Sequence, residues 1–381
     1  MRRPSWRLRV LLCAAALGVS SAALSIEAPQ PQVAAPAPPK PEPARAAITP
    51  TDEAAFYTVL QRVAHTRNFS GLSISADVIN ALAQGDADVA IGKLSAQANG
   101  GKLPENIALV RLQHWCNRVA TARPADPLAQ MNNLPSTFSP ERANRAGGVL
   151  IAEHKYREHA AMSCSKAQFD FDAIESRLRT AAAKGDPASA TELSQFVRDP
   201  QQREALLQSA VDKNFAPAVY TLATSRLMAV QRGETTENVA SIRLLLKQAG
   251  RTLPKAKVDL ANCMALGCDG HPADAGQAQA FGLDAARDGE PTAFLSIVRM
   301  PWARRLTRVQ ILSWQYFGDR LNEIGCGGEA YVGQAIAFDQ AIKALEKAAD
   351  TKLLEEAKAA GDSLWQSNSE RARKEQGCSA T

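Results

Sequence analysis

The chain has 381 residues, with 44 Lys and Arg against 39 Asp and Glu. Four of those arginines (Arg2, Arg3, Arg7 and Arg9) fall within the first 25 residues with no acid beside them, so the remainder is nearly neutral. A near-neutral body excludes the clustered basic surface that nucleic-acid binding needs, and no nucleic-acid partner is expected.

Residues 1–25 combine the four arginines with an apolar run from Val10 to Val19 and the small residues of Ala23-Leu24-Ser25. That order is the pattern of a secretory signal peptide. The run is short and diluted with alanine, whereas a spanning helix needs about 20 strongly apolar residues, so no stable membrane insertion is expected after cleavage. Cys13 lacks the preceding small residue of a lipid-attachment site. Residues 26–50 follow as a Pro/Ala-rich segment with Pro29, Pro31, Pro36, Pro38, Pro39, Pro41, Pro43 and Pro50. With little to bury and few amide donors, it reads as a disordered linker.

From residue 51 the helical period takes over. In 52–66, Ala55, Phe56, Val59, Leu60 and Val63 form one apolar stripe. Further helices are expected at 76–98, 105–122 and 139–165, making residues 51–166 an irregular N-terminal helical region. Helices at 170–184, 200–212, 216–231, 236–250, 254–266, 274–288 and 291–299 fill 167–300. Pro301 marks a break. A C-terminal closing segment, 301–381, then carries helices at 306–323 and 330–366. Strand alternation is missing throughout, so the fold class is all-α.

Within 167–300 four stretches align without a gap: AAAKGDPASATEL, AVDKNFAPAVYTL, QAGRTLPKAKVDL and AARDGEPTAFLSI. Their pivots are Gly185, Asn214, Thr252 and Gly289, and eight positions later stand Leu193, Leu222, Leu260 and Ile297. Gly185 and Gly289 suit a helix C-terminus that needs positive φ, Asn214 is the usual substitute, and Thr252 fits poorly. Alanines at 182, 210, 249, 286, 218, 256 and 293 let paired helices approach closely. Such stacked pairs grow by adding neighbours, so the array is expected to be an α-solenoid of helix-turn-helix units. The pivots are separated by 29, 38 and 37 residues, and the short first interval points to one degenerate pair. Residues 81–94 hint at a further degenerate unit.

The chain resembles the Sel-one-like repeat proteins, relatives of the tetratricopeptide repeats. The best stretch is 260–297, where Leu266-Gly267, Gly270, Asp274, Ala278, Phe281, Ala285-Ala286 and Gly289 fall in the family's order. The resemblance implies scaffold or adaptor work, with a concave face offered to a protein, a peptide or a cell-envelope component. It supplies no catalytic residue and no cofactor.

Six cysteines remain after Cys13: Cys116, Cys164, Cys263, Cys268, Cys326 and Cys378. An even count in an exported, periplasmic-type chain points to up to three disulfides, with buried free thiols as the alternative. Proximity along the chain favours Cys263–Cys268, Cys116–Cys164 and Cys326–Cys378, although 15 pairings are open. Cys263 and Cys268 with His271 and Asp269 imitate a metal cluster, but a cystine is the better reading. His154 and His159 are five apart and so lie on different helix faces. No metal site is expected.

Two features invite sharper readings. Glu175-Ser176 is similar to the Glu-Ser pair of lytic transglycosylases, which makes a glycan-cleaving enzyme the alternative function. The Gly-Leu-Met-Gln segment of that family is absent, and an exposed helix-start role suits Glu175 better. Trp302, Trp314, Tyr316 and Phe317 cluster with three arginines in 301–317, a composition typical of binding hot spots. The competing reading is that they close the end of the solenoid and bury its last apolar face.

Overall fold

A computed structural model describes residues 50–99, 102–121, 126–234, 239–267 and 274–378. The expected signal peptide and most of the linker, together with Cys268, Asp269 and His271, lie outside the described residues. Among the described residues all regular structure is helical.

The repeats form four consecutive hairpins. They pair α7 (Phe171–Ala183) with α8 (Pro187–Ser194), α9 (Pro200–Val211) with α10 (Ala216–Arg232), α11 (Val239–Ala249) with α12 (Pro254–Leu266), and α13 (Ala275–Arg287) with α14 (Pro291–Arg299). Each helix packs on the next, and α8 on α10 and α12 on α14 join the hairpins into a stack. The interfaces are the expected ones: Ala210, Ala249, Ala286, Ala218, Ala256 and Ala293 are buried, as are Leu193, Leu222, Leu260 and Ile297.

Three of the four turns are the same. Gly185, Asn214 and Gly289 have φ of 89°, 57° and 74°. The residue after each returns its N–H five positions, Asp186 to Ala181, Phe215 to Ala210 and Glu290 to Ala285. This is the Schellman closure, in which a left-handed residue lets two orphan carbonyls find donors. Thr252 departs from it, because a β-branched residue resists positive φ. There, the N–H groups of both Thr252 and Leu253 go to Ala249 O. Each second helix carries proline in its first two positions (Pro187, Pro217, Pro254 and Pro291), where no amide donor is needed.

Several helix assignments differ from the sequence reading, three of them instructively. The short interval between the first two pivots hides a complete hairpin whose second helix, α8, has only 8 residues. The expected helix 76–98 is split into α2 (Ala76–Gln84) and α3 (Ala87–Asn99) by Gly85, whose φ of 90° and Asp86-to-Ala81 bond repeat the Schellman turn. The expected helix 330–366 is split into α16 (Tyr331–Glu346) and α17 (Thr351–Glu375), because the Asp350 carboxylate accepts from Leu353 N and starts a new helix.

Before the stack stand α1 (Pro50–Asn68), α4 (Leu103–Thr121), α5 (Pro127–Asn132) and α6 (Pro140–Lys166), and after it α15 (Arg308–Leu321). α4 packs on α7 and α8, which joins the N-terminal region to the first hairpin. At the other end α17 lies along α15 and reaches α13. Lys257 Nζ meets Asp284 and Asp288 at 2.6 Å each, and Arg371 of α17 binds the same two carboxylates. Gln376 Nε2 adds a bond to Asp288 O at 3.0 Å. α17 therefore covers the last repeat.

Residues 322–331 then return to α1. Arg67 donates to Gln376 O at 2.9 Å and to Cys326 O, while Cys326 is bonded to Cys378. Tyr331 is buried in the N-terminal core with its ring edge-on to Phe56 at 5.1 Å. The first described helix thus meets the segments 322–331 and 376–378, which closes the described helices on one another. No helix among the described residues is long and apolar enough to cross a membrane.

Candidate functional site

The closure creates a cleft of about 330 Å³ between α1, α4 and the turn at 328–330. His65 and Asn68 line it from α1, Trp115 and Arg118 from α4, and Glu329 from the turn. Behind it, α1 presents Tyr57, Gln61 and His65 at four-residue spacing, the offset that stacks side chains on one helix face. All three are buried. The apolar stripe read from the sequence is therefore rotated: Leu60 and Val63 face the core, whereas Ala55 is exposed.

The polar groups behind the cleft are hydrogen-bonded in sequence. Gln61 Nε2 donates to Tyr57 Oη at 2.8 Å, and Tyr156 Oη donates to Leu82 O at 2.7 Å. Because the single proton of Tyr156 goes to Leu82, the contact of His65 Nε2 with that hydroxyl at 3.0 Å has the imidazole as donor. His65 is thus held neutral. Loss of solvent pushes its pKa down to about 4, and the Arg118 charge adds to that direction. Burial likewise raises the phenols of Tyr57 and Tyr156.

The rim is charged. Glu329 keeps a solvent-accessible side chain, yet the enclosing walls displace enough water to hold its carboxyl above the usual range; Arg157 and Arg118 oppose that shift. Glu153 is engaged by Arg157 at 2.6 Å. The Arg118 guanidinium and the Glu329 carboxyl make no hydrogen bond or ion pair with any described residue. Arg67 is occupied by its two backbone carbonyls. The arrangement offers an aromatic floor and two opposite charges without a hydrogen-bonded partner among the described residues, with no hydroxyl or thiol nucleophile among the lining residues.

Sequence reasoning missed this cleft. Its residues come from positions 64 to 329 on separate elements, and no local spacing connects them. One signal was available: Gln61 and His65 interrupt an apolar helix face at i, i+4.

The singled-out residues have other places. Trp302, Trp314 and Phe317 are 0%, 5% and 1% exposed, and Tyr316 bonds Glu346 at 3.0 Å. Trp302 Nε1 donates to Asn262 Oδ1 at 3.1 Å. This corrects the hot-spot reading: Trp302, Trp314 and Phe317 fill the core of the closing segment, and the half-buried Tyr316 packs against it. Glu175 pairs with Arg179 at 2.5 Å one turn on, half exposed on α7 and outside the cleft, so the glycan-cleaving alternative loses its candidate acid. Cys116 is bonded to Cys164 and Cys326 to Cys378. Cys263 is also disulfide-bonded, and Cys268, its expected partner, lies outside the described residues. His159 contacts Asp86 at 2.7 Å, and His154 contacts Glu158 at 3.4 Å. Among the described residues no three His, Cys, Asp or Glu side chains converge as a metal site would require.

No family model matches the sequence, and no curated protein matches it. Among solved structures, the chain is similar to a protective antigen present in uropathogenic Escherichia coli strains and displaying an SLR fold. The identity is 13%, the match covers 85% of this chain and 88% of that one, and the TM-score is 0.31. The fold assignment accordingly rests on the helix pairing and turn geometry described above.

Proposed function

We propose that the protein is an exported, periplasmic, non-catalytic repeat scaffold that binds another protein, a peptide or a cell-envelope component. The observation that carries this reading is the outward face of the stack. Met228 of α10 and Leu244 of α11 stay 53% and 67% exposed on two helices that pack against each other. The three leucines 244–246 turn by about 100° per residue, so Leu246 is buried in the core and Leu245 packs against it while Leu244 stays outside. Large apolar side chains left exposed on neighbouring helices suit a partner's apolar face. The leader sequence and the cystines support export into an oxidising compartment.

The test uses the purified protein, immobilised and challenged with solubilised envelope extract, beside the double variant Met228→Asp/Leu244→Asp. The reading expects a defined partner on the parent, its loss from the variant, and an unchanged unfolding midpoint. Equal retention by both proteins, or none by either, overturns it.

A further inference from the structure

We infer that the cleft between α1, α4 and the 328–330 turn is a binding site for a small zwitterion of amino-acid type, whose carboxylate meets Arg118 and whose ammonium meets Glu329. This site stands apart from the outer face of α10 and α11, so either can fail alone.

Three observations lead there. The volume of about 330 Å³ is at the small end of ligand pockets and suits a single amino acid rather than a folded partner. Arg118 and Glu329 carry opposite charges into one cleft, yet neither is joined to the other or to another described residue. The neighbouring charges are already committed, Arg67 to Cys326 O and Gln376 O and Glu153 to Arg157. The Arg157 and Arg118 charges reach Glu329 without bonding to it, so a simple anion or a simple cation gives a hydrogen-bonded partner to only one side of the cleft, whereas a ligand carrying both charges gives one to each.

The floor adds the remaining chemistry. Trp115 and His65 are 4% and 1% exposed and stand edge-to-face at 5.1 Å. With its Nε2–H given to Tyr156, the neutral imidazole adds no charge, so the floor suits the ligand's apolar side chain. Arg118 supplies a planar fork for the carboxylate, a geometry that lysine does not offer.

The experiment is titration of the purified protein, followed by calorimetry and by the indole resonance of Trp115. The probes are glycine, leucine and phenylalanine, each free, as the N-acetyl derivative and as the methyl ester. Leucine and phenylalanine are expected to bind more tightly than glycine, and each blocked form to lose about tenfold or more, the usual weight of one charge-assisted hydrogen bond. Arg118→Gln should bring the ester level with the free acid, and Glu329→Gln should bring the N-acetyl form level with the free amine. Both side chains are exposed and unbonded, so an unchanged melting temperature verifies folding. Binding that ignores the blocking groups or the two variants overturns the inference, as does the absence of any binding or indole shift.

Discussion

The stack from α7 to α14 and the closure around Arg67 use the same kind of helix but are held by opposite means. In the stack, neighbours meet through buried alanines and larger apolar residues such as Leu207, Val219, Leu246, Val258 and Phe294, joined by turns that satisfy their own carbonyls. In the closure, the links join residues distant in sequence, and beside the Phe56–Tyr331 ring contact they include polar and covalent ones: Cys326–Cys378, Arg67 on two carbonyls, Arg142 on Asp319 at 2.5 Å and Arg145 on Glu323 at 3.0 Å. Each repeat buries its face only against its neighbours, so the last one needs a terminator. Here the terminator is α17, and its far end is carried back to α1. The difference teaches how a cleft can form: where elements far apart in sequence are brought together without a repeating fit, the junction at α1, α4 and 328–330 leaves room between them.

The strongest way to break the contrast is to remove the closure's covalent link. The Cys326→Ser/Cys378→Ser variant opens a loop spanning 52 residues and should lose about 4 kcal/mol in denaturant unfolding. A loss under about 1 kcal/mol would show that the closure does not depend on it.

Acid is the next largest lever. His65 has an ordinary pKa of 6.5 and a folded value of about 4, so the unfolded chain binds its proton first as pH falls. The neutral imidazole's contribution is fully present above pH 6.5 and disappears progressively toward pH 4, a total of about 3 kcal/mol. His65→Gln should flatten that part of the stability–pH curve relative to the parent, which parallel denaturant titrations will reveal.

Packing at the end of the stack comes third. A Cβ on Gly282 would lie 2.5 Å from the Trp302 ring, whereas one on Gly92 meets nothing within 4 Å. Gly282→Ala should therefore cost about 2 kcal/mol, and Gly92→Ala on α3 should gain up to about 1 kcal/mol. Equal thermal shifts for the two would contradict a filled stack end. The smallest effects are at the turns. Asn214→Ala should lose about 1 kcal/mol because φ is 57° there, while Thr252→Gly, at a turn closed without positive φ, should stay within about 0.5 kcal/mol.

The same contrast explains how much was legible in the sequence. The stack is written locally: pivots, alanines and the apolar residue eight positions on all fall within about 13 residues of one another. Even the unread signals there were local, since a proline after each pivot marks the start of α8, α10, α12 and α14. The split at Asp350 was harder, because Glu346 to Ala349 favour helix and only a single capping carboxylate interrupts them. The aromatics of 301–317 were ambiguous because composition does not say which face a side chain takes. The cleft was unreadable, because His65, Trp115 and Glu329 become neighbours only when residues 322–331 reach α1.

That meeting of α1 with the residues that follow α17 is the central claim, and a distance between the two reports on it directly. Thr66 and Lys374 are both exposed, and a Cβ built on Gly377 would lie 2.9 Å from Thr66 Cγ2. Spin labels on Thr66 and Lys374 should give one narrow distance distribution below about 20 Å, roughly two helix diameters. A broad distribution centred well beyond that would contradict the closure and, with it, the cleft.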